Sequence, residues 1–229
     1  MCPISHATTH FMKERSEMKI ALIAPTGKIG FEIAREALRQ GHTVTGIVRT
    51  GRPVPEELQD VKFEVADIYD TASFGKVIHG ADVLASAFGV HGEHIGELVG
   101  AAQSIISAAR AADIKRVIVV GGAASLEVAP GEKLLNAPYF PSDYYPYGLA
   151  HDEAYKIYQT ADDLEWTFFS PAAEISPSEK TGDYQTGGGS LLKGADGLSR
   201  ISYADYAEAF VNEISQRNHI RSIMTVAHR

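Results

Sequence analysis

The sequence predicts a doubly wound α/β fold, a mainly parallel sheet with helices on both faces, built by a single domain. Three observations predict it. Short apolar runs of strand type alternate with helix-type stretches from Lys19 onward, which is the pattern of successive βαβ units. The first run ends in a glycine-bearing turn that opens a helix, the way a nucleotide-binding unit begins. The stretches between strands are long enough for crossovers, and right-handed crossovers cover both faces of the sheet.

Taken in order, residues 1–17 show no sustained period and are expected to be a flexible extension ahead of one domain, 18–229. Strand-type runs follow at 20–23, 44–48, 61–65, 83–87, 117–120 and 166–169, the last read as core because it is continuously apolar. Helical stretches lie between them at 29–40, 71–78, 93–112 and roughly 149–160. In the third, Ile95, Leu98, Val99, Ala102, Ile105, Ile106 and Ala109 recur at spacings of three and four, so one face is core. Its small residues, among them Ala101, Ser104 and Ala108, suit close packing within the chain or against a second copy in a homodimer. Ser202 opens a last helix carrying Tyr206, Ala209, Phe210 and Ile214, and a strand over 222–226 extends the sheet.

Composition narrows the function. A chain of 229 residues with 45% apolar side chains can bury a sizeable core. A net charge of -8 argues against nucleic acid or an anionic membrane as partner. No apolar run approaches the ~18 residues that span a bilayer, and the N-terminus lacks a signal-peptide core. With Cys2 as the sole cysteine, no disulfide forms within the chain. A cytoplasmic protein is expected. His91 and His94 stand at i, i+3 without an accompanying acidic or cysteine ligand set, so no metal site is expected.

The most informative stretch runs Lys-Ile-Ala-Leu-Ile-Ala-Pro-Thr-Gly-Lys-Ile-Gly from Lys19 to Gly30. Backbone N–H groups of Thr26, Gly27, Lys28, Ile29 and Gly30 at a helix N-terminus can cradle a pyrophosphate where no side chain blocks it. Ala24 stands where such a turn usually begins with glycine; Pro25 is expected to hold it extended, with no positive φ required. Nineteen residues after Gly30, where an acidic residue would hold an NAD ribose, the chain has Arg49. Arginine there favours a 2′-phosphate, hence NADP(H) over NAD(H).

Further candidates follow the other strands, since ligands lie beyond strand carboxyl ends. Asp67, with the Ile68 backbone, either accepts from the adenine amino group or caps the next turn. Ala87, Phe88 and Gly89 let ribose and pyrophosphate pass close to the backbone. Gly121 and Gly122 leave room for a nicotinamide ring, and Ser125 either reaches a substrate carbonyl or caps a turn. Tyr147 and His151, four residues apart, share a helix face. Residues 181–190, with Gly187, Gly188 and Gly189, read as part of a substrate lid or as a plain hairpin loop.

Together these stretches, with 180–184 and 200–206, resemble the extended short-chain dehydrogenase/reductase superfamily. The likeness is greatest to its atypical NAD(P)-binding branch of NADH-flavin reductase and biliverdin/flavin reductase-like proteins. The resemblance implies a Rossmann-like domain, and it places Pro171 and Ala172 beside the nicotinamide, with Glu174 as a substrate contact or a solvated charge. It also exposes a departure: the superfamily's Tyr-x-x-x-Lys pair is here Tyr147 and His151. Without a permanent cation beside the tyrosine, acid-driven carbonyl reduction loses its support. Transfer of hydride to a flavin, whose compensating proton comes from solvent, suits the remaining residues. A redox sensor that binds NADP(H) without turnover is the alternative, and a nucleotide-sugar epimerase or dehydratase is disfavoured for want of the lysine.

Overall fold

The structure, a computed structural model, describes residues 17–49, 53–90 and 92–229. The expectations for Cys2, His91 and residues 1–16 lie outside the described residues. In chain order the elements are β1 (Lys19–Ile23), α1 (Lys28–Arg39), β2 (Thr43–Val48), β3 (Lys62–Val65), α2 (Thr71–Ile78) and β4 (Val83–Ser86). Then come α3 (Glu97–Ala111), β5 (Arg116–Val120), β6 (Glu127–Ala129), β7 (Glu132–Lys133), α4 (Tyr145–Gln159) and β8 (Glu165–Ser170). The chain finishes with β9 (Glu174–Ser176), β10 (Tyr184–Gly187), β11 (Arg200–Ser202), α5 (Tyr203–Gln216) and β12 (Ser222–His228).

Eight strands form one sheet in the order β10-β12-β8-β5-β4-β1-β2-β3, parallel throughout except where β10 runs antiparallel to β12. The chain winds outward from β1 through β2 to β3, then returns to β4 on the other side of β1. That reversal makes the carboxyl ends of β1 and β4 the topological switch point. Strand side chains alternate between the faces, as a period of two demands. Ala21, Ile23, Val117, Val119 and Phe168 pack toward α2, α3 and α4, with Phe74, Ile105 and Tyr158. Ile20, Leu22, Ile118 and Phe169 pack toward α1 and α5, with Ile33, Tyr206 and Phe210. Each fully buried phenylalanine contributes about 2–3 kcal/mol by removal from water.

Three expectations change. The helix expected over 93–112 is a 3-10 turn, Gly92–Gly96, followed by α3. The helix expected from about 149 begins at Tyr145, because Pro146 sits in its first turn, where a missing N–H costs nothing. Residues 181–190 are neither free lid nor plain hairpin loop, since Tyr184–Gly187 is the edge strand β10 on β12. The small residues of α3 are used within the chain: α3 lies between α2 and α4, and the Ser104 hydroxyl donates to the Ile68 carbonyl.

The segment before β10 is pinned by Asp205, which is fully buried. Its carboxylate accepts from the Thr181 amide at 3.0 Å, the Gly182 amide at 2.8 Å and the Ser202 hydroxyl at 2.8 Å, with His228 Nε2 at 2.9 Å. Burial by itself raises a carboxyl pKa, but those donors outweigh it and hold Asp205 at about 2. Ser202 in turn accepts from the Asp205 amide at 2.9 Å and so caps α5. Lys180 bridges Glu36 of α1 at 3.3 Å and Glu208 of α5 at 2.5 Å.

Candidate dinucleotide and acceptor site

At the switch point β1 ends in a tight turn. The Ala24 amide donates to Ile47 O at 3.1 Å, and the Gly27 amide folds back onto Ala24 O at 3.2 Å. Ala24 has φ of +59°, so the expectation of an extended backbone was wrong. The turn itself imposes the left-handed conformation, overriding the local bias from Pro25. An L-residue there is strained by roughly 1–2 kcal/mol. Ala24→Gly is therefore expected to stabilise the protein by about 0.5–1 kcal/mol after the entropy of an added glycine is subtracted; urea unfolding checks this, and a loss of stability would refute it. Gly46 on β2 makes room for this turn, since a Cβ there would sit 2.9 Å from Pro25 Cγ.

Helix α1 starts with no side-chain cap and no acidic residue in its first turn. By contrast, Asp70 caps α2 and Ser202 caps α5. Within α1 the first bond runs from Phe31 N to Gly27 O at 2.8 Å, so the amides of Lys28, Ile29 and Gly30 precede the helical ladder. Uncapped amides beside a glycine fit a pyrophosphate. Gly30 is required by the protein itself: a Cβ there would lie 2.1 Å from Ala24 O and 3.2 Å from Ala87 Cβ. Gly27 is different, because its Cβ would meet only Ala24 O at an ordinary 3.5 Å.

The segment Ala87, Phe88 and Gly89 abuts the same turn, with the Ala87 amide bound to Ile23 O at 3.0 Å. Arg49 follows β2, is exposed, and has no carboxylate at ion-pair distance among the described residues. Asp67 caps its own turn, accepting from the Tyr69 amide at 2.9 Å. Ile68 is buried, with its carbonyl taken by Ser104. No motif singles out Tyr69, yet its ring is exposed beside this turn and its phenol donates to Glu97 O at 3.1 Å.

At the ends of β5 and β8 the structure reassigns the glycines. A Cβ on Gly121 would lie 2.3 Å from the Phe168 ring, and one on Gly122 would lie 2.7 Å from His151 Cγ. The room expected for a nicotinamide is therefore filled by Phe168 and His151, which dictate these two glycines. The Ser170 hydroxyl secures the arrangement by donating to Gly122 O at 2.9 Å. Burial lowers the His151 pKa to about 4, so the ring is neutral at pH 7 and cannot replace the lysine's charge. Ser86, Phe88, His151, Tyr158 and Phe168 line a void of about 20 Å³, room for one water.

Tyr147, one turn before His151 on α4, accepts from the Gly92 amide at 3.2 Å and ties α4 to the turn before α3. Ser125 does not reach an open face: it is 4% exposed and its Oγ has no hydrogen-bond partner among the described residues. Pro171 and Ala172 are buried, and Glu174 just beyond them is exposed.

Residues 25–216 match the family model described as NAD(P)H-binding. A crystal structure named as a putative exported protein from Burkholderia pseudomallei is 46% identical, with a TM-score of 0.86, over 92% of this chain and 100% of that one. One named as a putative NADH-flavin reductase from Streptococcus pneumoniae TIGR4 is 31% identical, with a TM-score of 0.84, over 93% and 100%. One named as a putative epimerase from Bacteroides thetaiotaomicron is 32% identical, with a TM-score of 0.86, over 93% and 98%. No helix among the described residues is long and apolar enough to cross a membrane. With a glycine turn, an uncapped α1 and a family match over most of its length, the chain belongs to the NAD(P)H-binding family and has its Rossmann fold.

Proposed function

We propose that the protein is an NAD(P)H-dependent oxidoreductase that passes hydride from NADPH to a flavin or a similar planar acceptor. The observation that carries this reading is His151, a half-buried imidazole packed against Gly122 four residues after Tyr147, where the reduction of a carbonyl would call for a lysine. A site built this way lacks the charged pair that protonates a carbonyl oxygen, and a flavin needs no such pair. Bound NADPH supplies the hydride. Lys28, Ile29 and Gly30 hold its pyrophosphate by their amides, and Arg49 pairs with its 2′-phosphate. Tyr147 and His151, with the backbone at Pro171 and Ala172, shape the acceptor side. Ser125 joins them only by turning out of its sealed position. The Streptococcus relative's name supports the reading. The epimerase named for the Bacteroides relative would call on a Tyr-Lys pair that this chain lacks. A cytoplasmic place of action is part of the proposal.

The test is a titration with NADPH and NADH, followed by addition of a flavin while nicotinamide absorbance is monitored. Continuous flavin-dependent oxidation above the protein-free rate is expected. Tight binding without turnover would replace the reductase by an NADP(H) sensor. Arg49→Glu is expected to weaken NADPH by at least about tenfold while leaving NADH within about twofold, because only the 2′-phosphate meets the new charge. Equal losses for both would remove the argument for NADP.

A further inference from the structure

A second, larger cavity of about 400 Å³ opens between β9, β11 and the carboxyl end of β12. Its size is that of a small-molecule site. In the sheet order β12 is four strands from β1, or about 19 Å at ordinary strand spacing. It therefore lies on the far side of β5 and β8 from the switch point. Its nearer wall is Glu174, four residues beyond the end of β8. An acceptor stacked at the ends of β5 and β8 would extend its tail in this direction.

The walls have a definite chemistry. Leu198, 51% exposed, and Ile201 form an apolar part, and Ser176 and Ser178 bring hydroxyls. Both arginines of the wall are neutralised within the protein, Arg200 by Asp196 and Arg229 by Asp183 at 3.4 Å. His228 is held against Asp205 at 2.9 Å. Glu174 and Glu179 have no ion-pair or hydrogen-bond donor for their carboxylates among the described residues. The cavity thus presents hydrogen-bond acceptors and uncompensated negative charge.

We infer that this cavity receives the polar tail of the acceptor, and that Glu174 and Glu179 select a tail carrying hydroxyl or amine donors over a phosphorylated one. Among flavins that means riboflavin over FMN. The inference rests on the reductase reading for the position of the flavin ring. Carboxylates accept from ribityl hydroxyls and repel a phosphate, and the exposure of Glu174 and Glu179 to solvent keeps the discrimination modest.

The experiment measures NADPH oxidation by the full chain with riboflavin and with FMN, for the wild type and for E174Q/E179Q. In the wild type kcat/KM for riboflavin should exceed that for FMN by about fivefold, mainly through KM, and less so at high salt. In the double variant the two should come within about twofold. Wild-type preference for FMN, equal use of the two, or an unmoved ratio in the variant overturns the inference. If neither flavin is reduced, the reductase reading fails, and quenching of flavin fluorescence by the NADP+-loaded protein then decides the inference by itself. Tighter binding of riboflavin than of FMN sustains it; equal binding, or none, ends it.

Discussion

Alanine at Asp205 is expected to cost about 3–5 kcal/mol of folding stability, the range for removing one member of a buried charged network. Four donors, the Thr181 amide and hydroxyl, the Gly182 amide and the Ser202 hydroxyl, and one histidine converge on this carboxylate. The truncation leaves the Thr181 and Gly182 amides and the Ser202 hydroxyl without an acceptor, while β10, α5 and β12 lose their common anchor. Urea unfolding reads the loss directly, and a change below about 1 kcal/mol, the net worth of one ordinary hydrogen bond, would show the network to be dispensable. Asp205→Asn should fall between the two, since an amide oxygen still accepts from part of the set. The pH dependence has a fixed sign. The folded carboxyl sits at about 2, below the ordinary 3.8, so its contribution is complete above the unfolded pKa and is lost as pH falls through the folded one. Wild type should therefore lose stability more steeply than Asp205→Asn between pH 4 and pH 2.

The second large effect separates two glycines that look alike in the sequence. Gly30→Ala is expected to destroy the phosphate turn, because the added Cβ would lie 2.1 Å from the Ala24 carbonyl oxygen, a backbone atom with no rotamer by which to yield. NADPH affinity should fall at least about a hundredfold, about 2.7 kcal/mol, with a loss of stability alongside it. Gly27→Ala places its Cβ at an ordinary 3.5 Å from the same oxygen and should leave the fold within about 0.5 kcal/mol of wild type. Gly27→Val then probes the ligand site, since its Cβ has ordinary contact with the protein and the branched side chain is expected to meet the incoming phosphate. Tryptophan fluorescence quenching by NADPH, measured on folded protein, tests both. A folded Gly27→Val variant with wild-type affinity would place the dinucleotide elsewhere.

Much of this architecture is legible in the chain because it depends on neighbours in sequence. The strand at Lys19–Ile23, the turn through Gly27 and Gly30, and the helix that follows are local patterns of period and punctuation. So is the apolar stripe of α3. The order of these elements, read with the handedness of crossovers, leads to the parallel sheet. The position of Arg49 just after the second strand is likewise read from spacing alone.

What escaped the sequence depends on residues that meet only in three dimensions. Pro25 argues locally for an extended Ala24, yet the turn closed by hydrogen bonds to Ile47 and Gly27 imposes a positive φ. Gly121 and Gly122 read as space for a ligand, but the ring of Phe168 and the side chain of His151 occupy that space from β8 and α4. No spacing rule reveals that His151 is stripped of its charge, because desolvation is set by all that packs around it. The convergence of residues 181, 182, 202 and 228 on Asp205 is equally invisible in one dimension. The sequence by itself determined the order of elements, the glycine turn and the placement of Arg49 at the end of the second strand. Only the tertiary structure decided which glycines serve packing, which ionisable groups are buried and where a second cavity opens, because side-chain contacts between distant segments, and the water they exclude, settle all three.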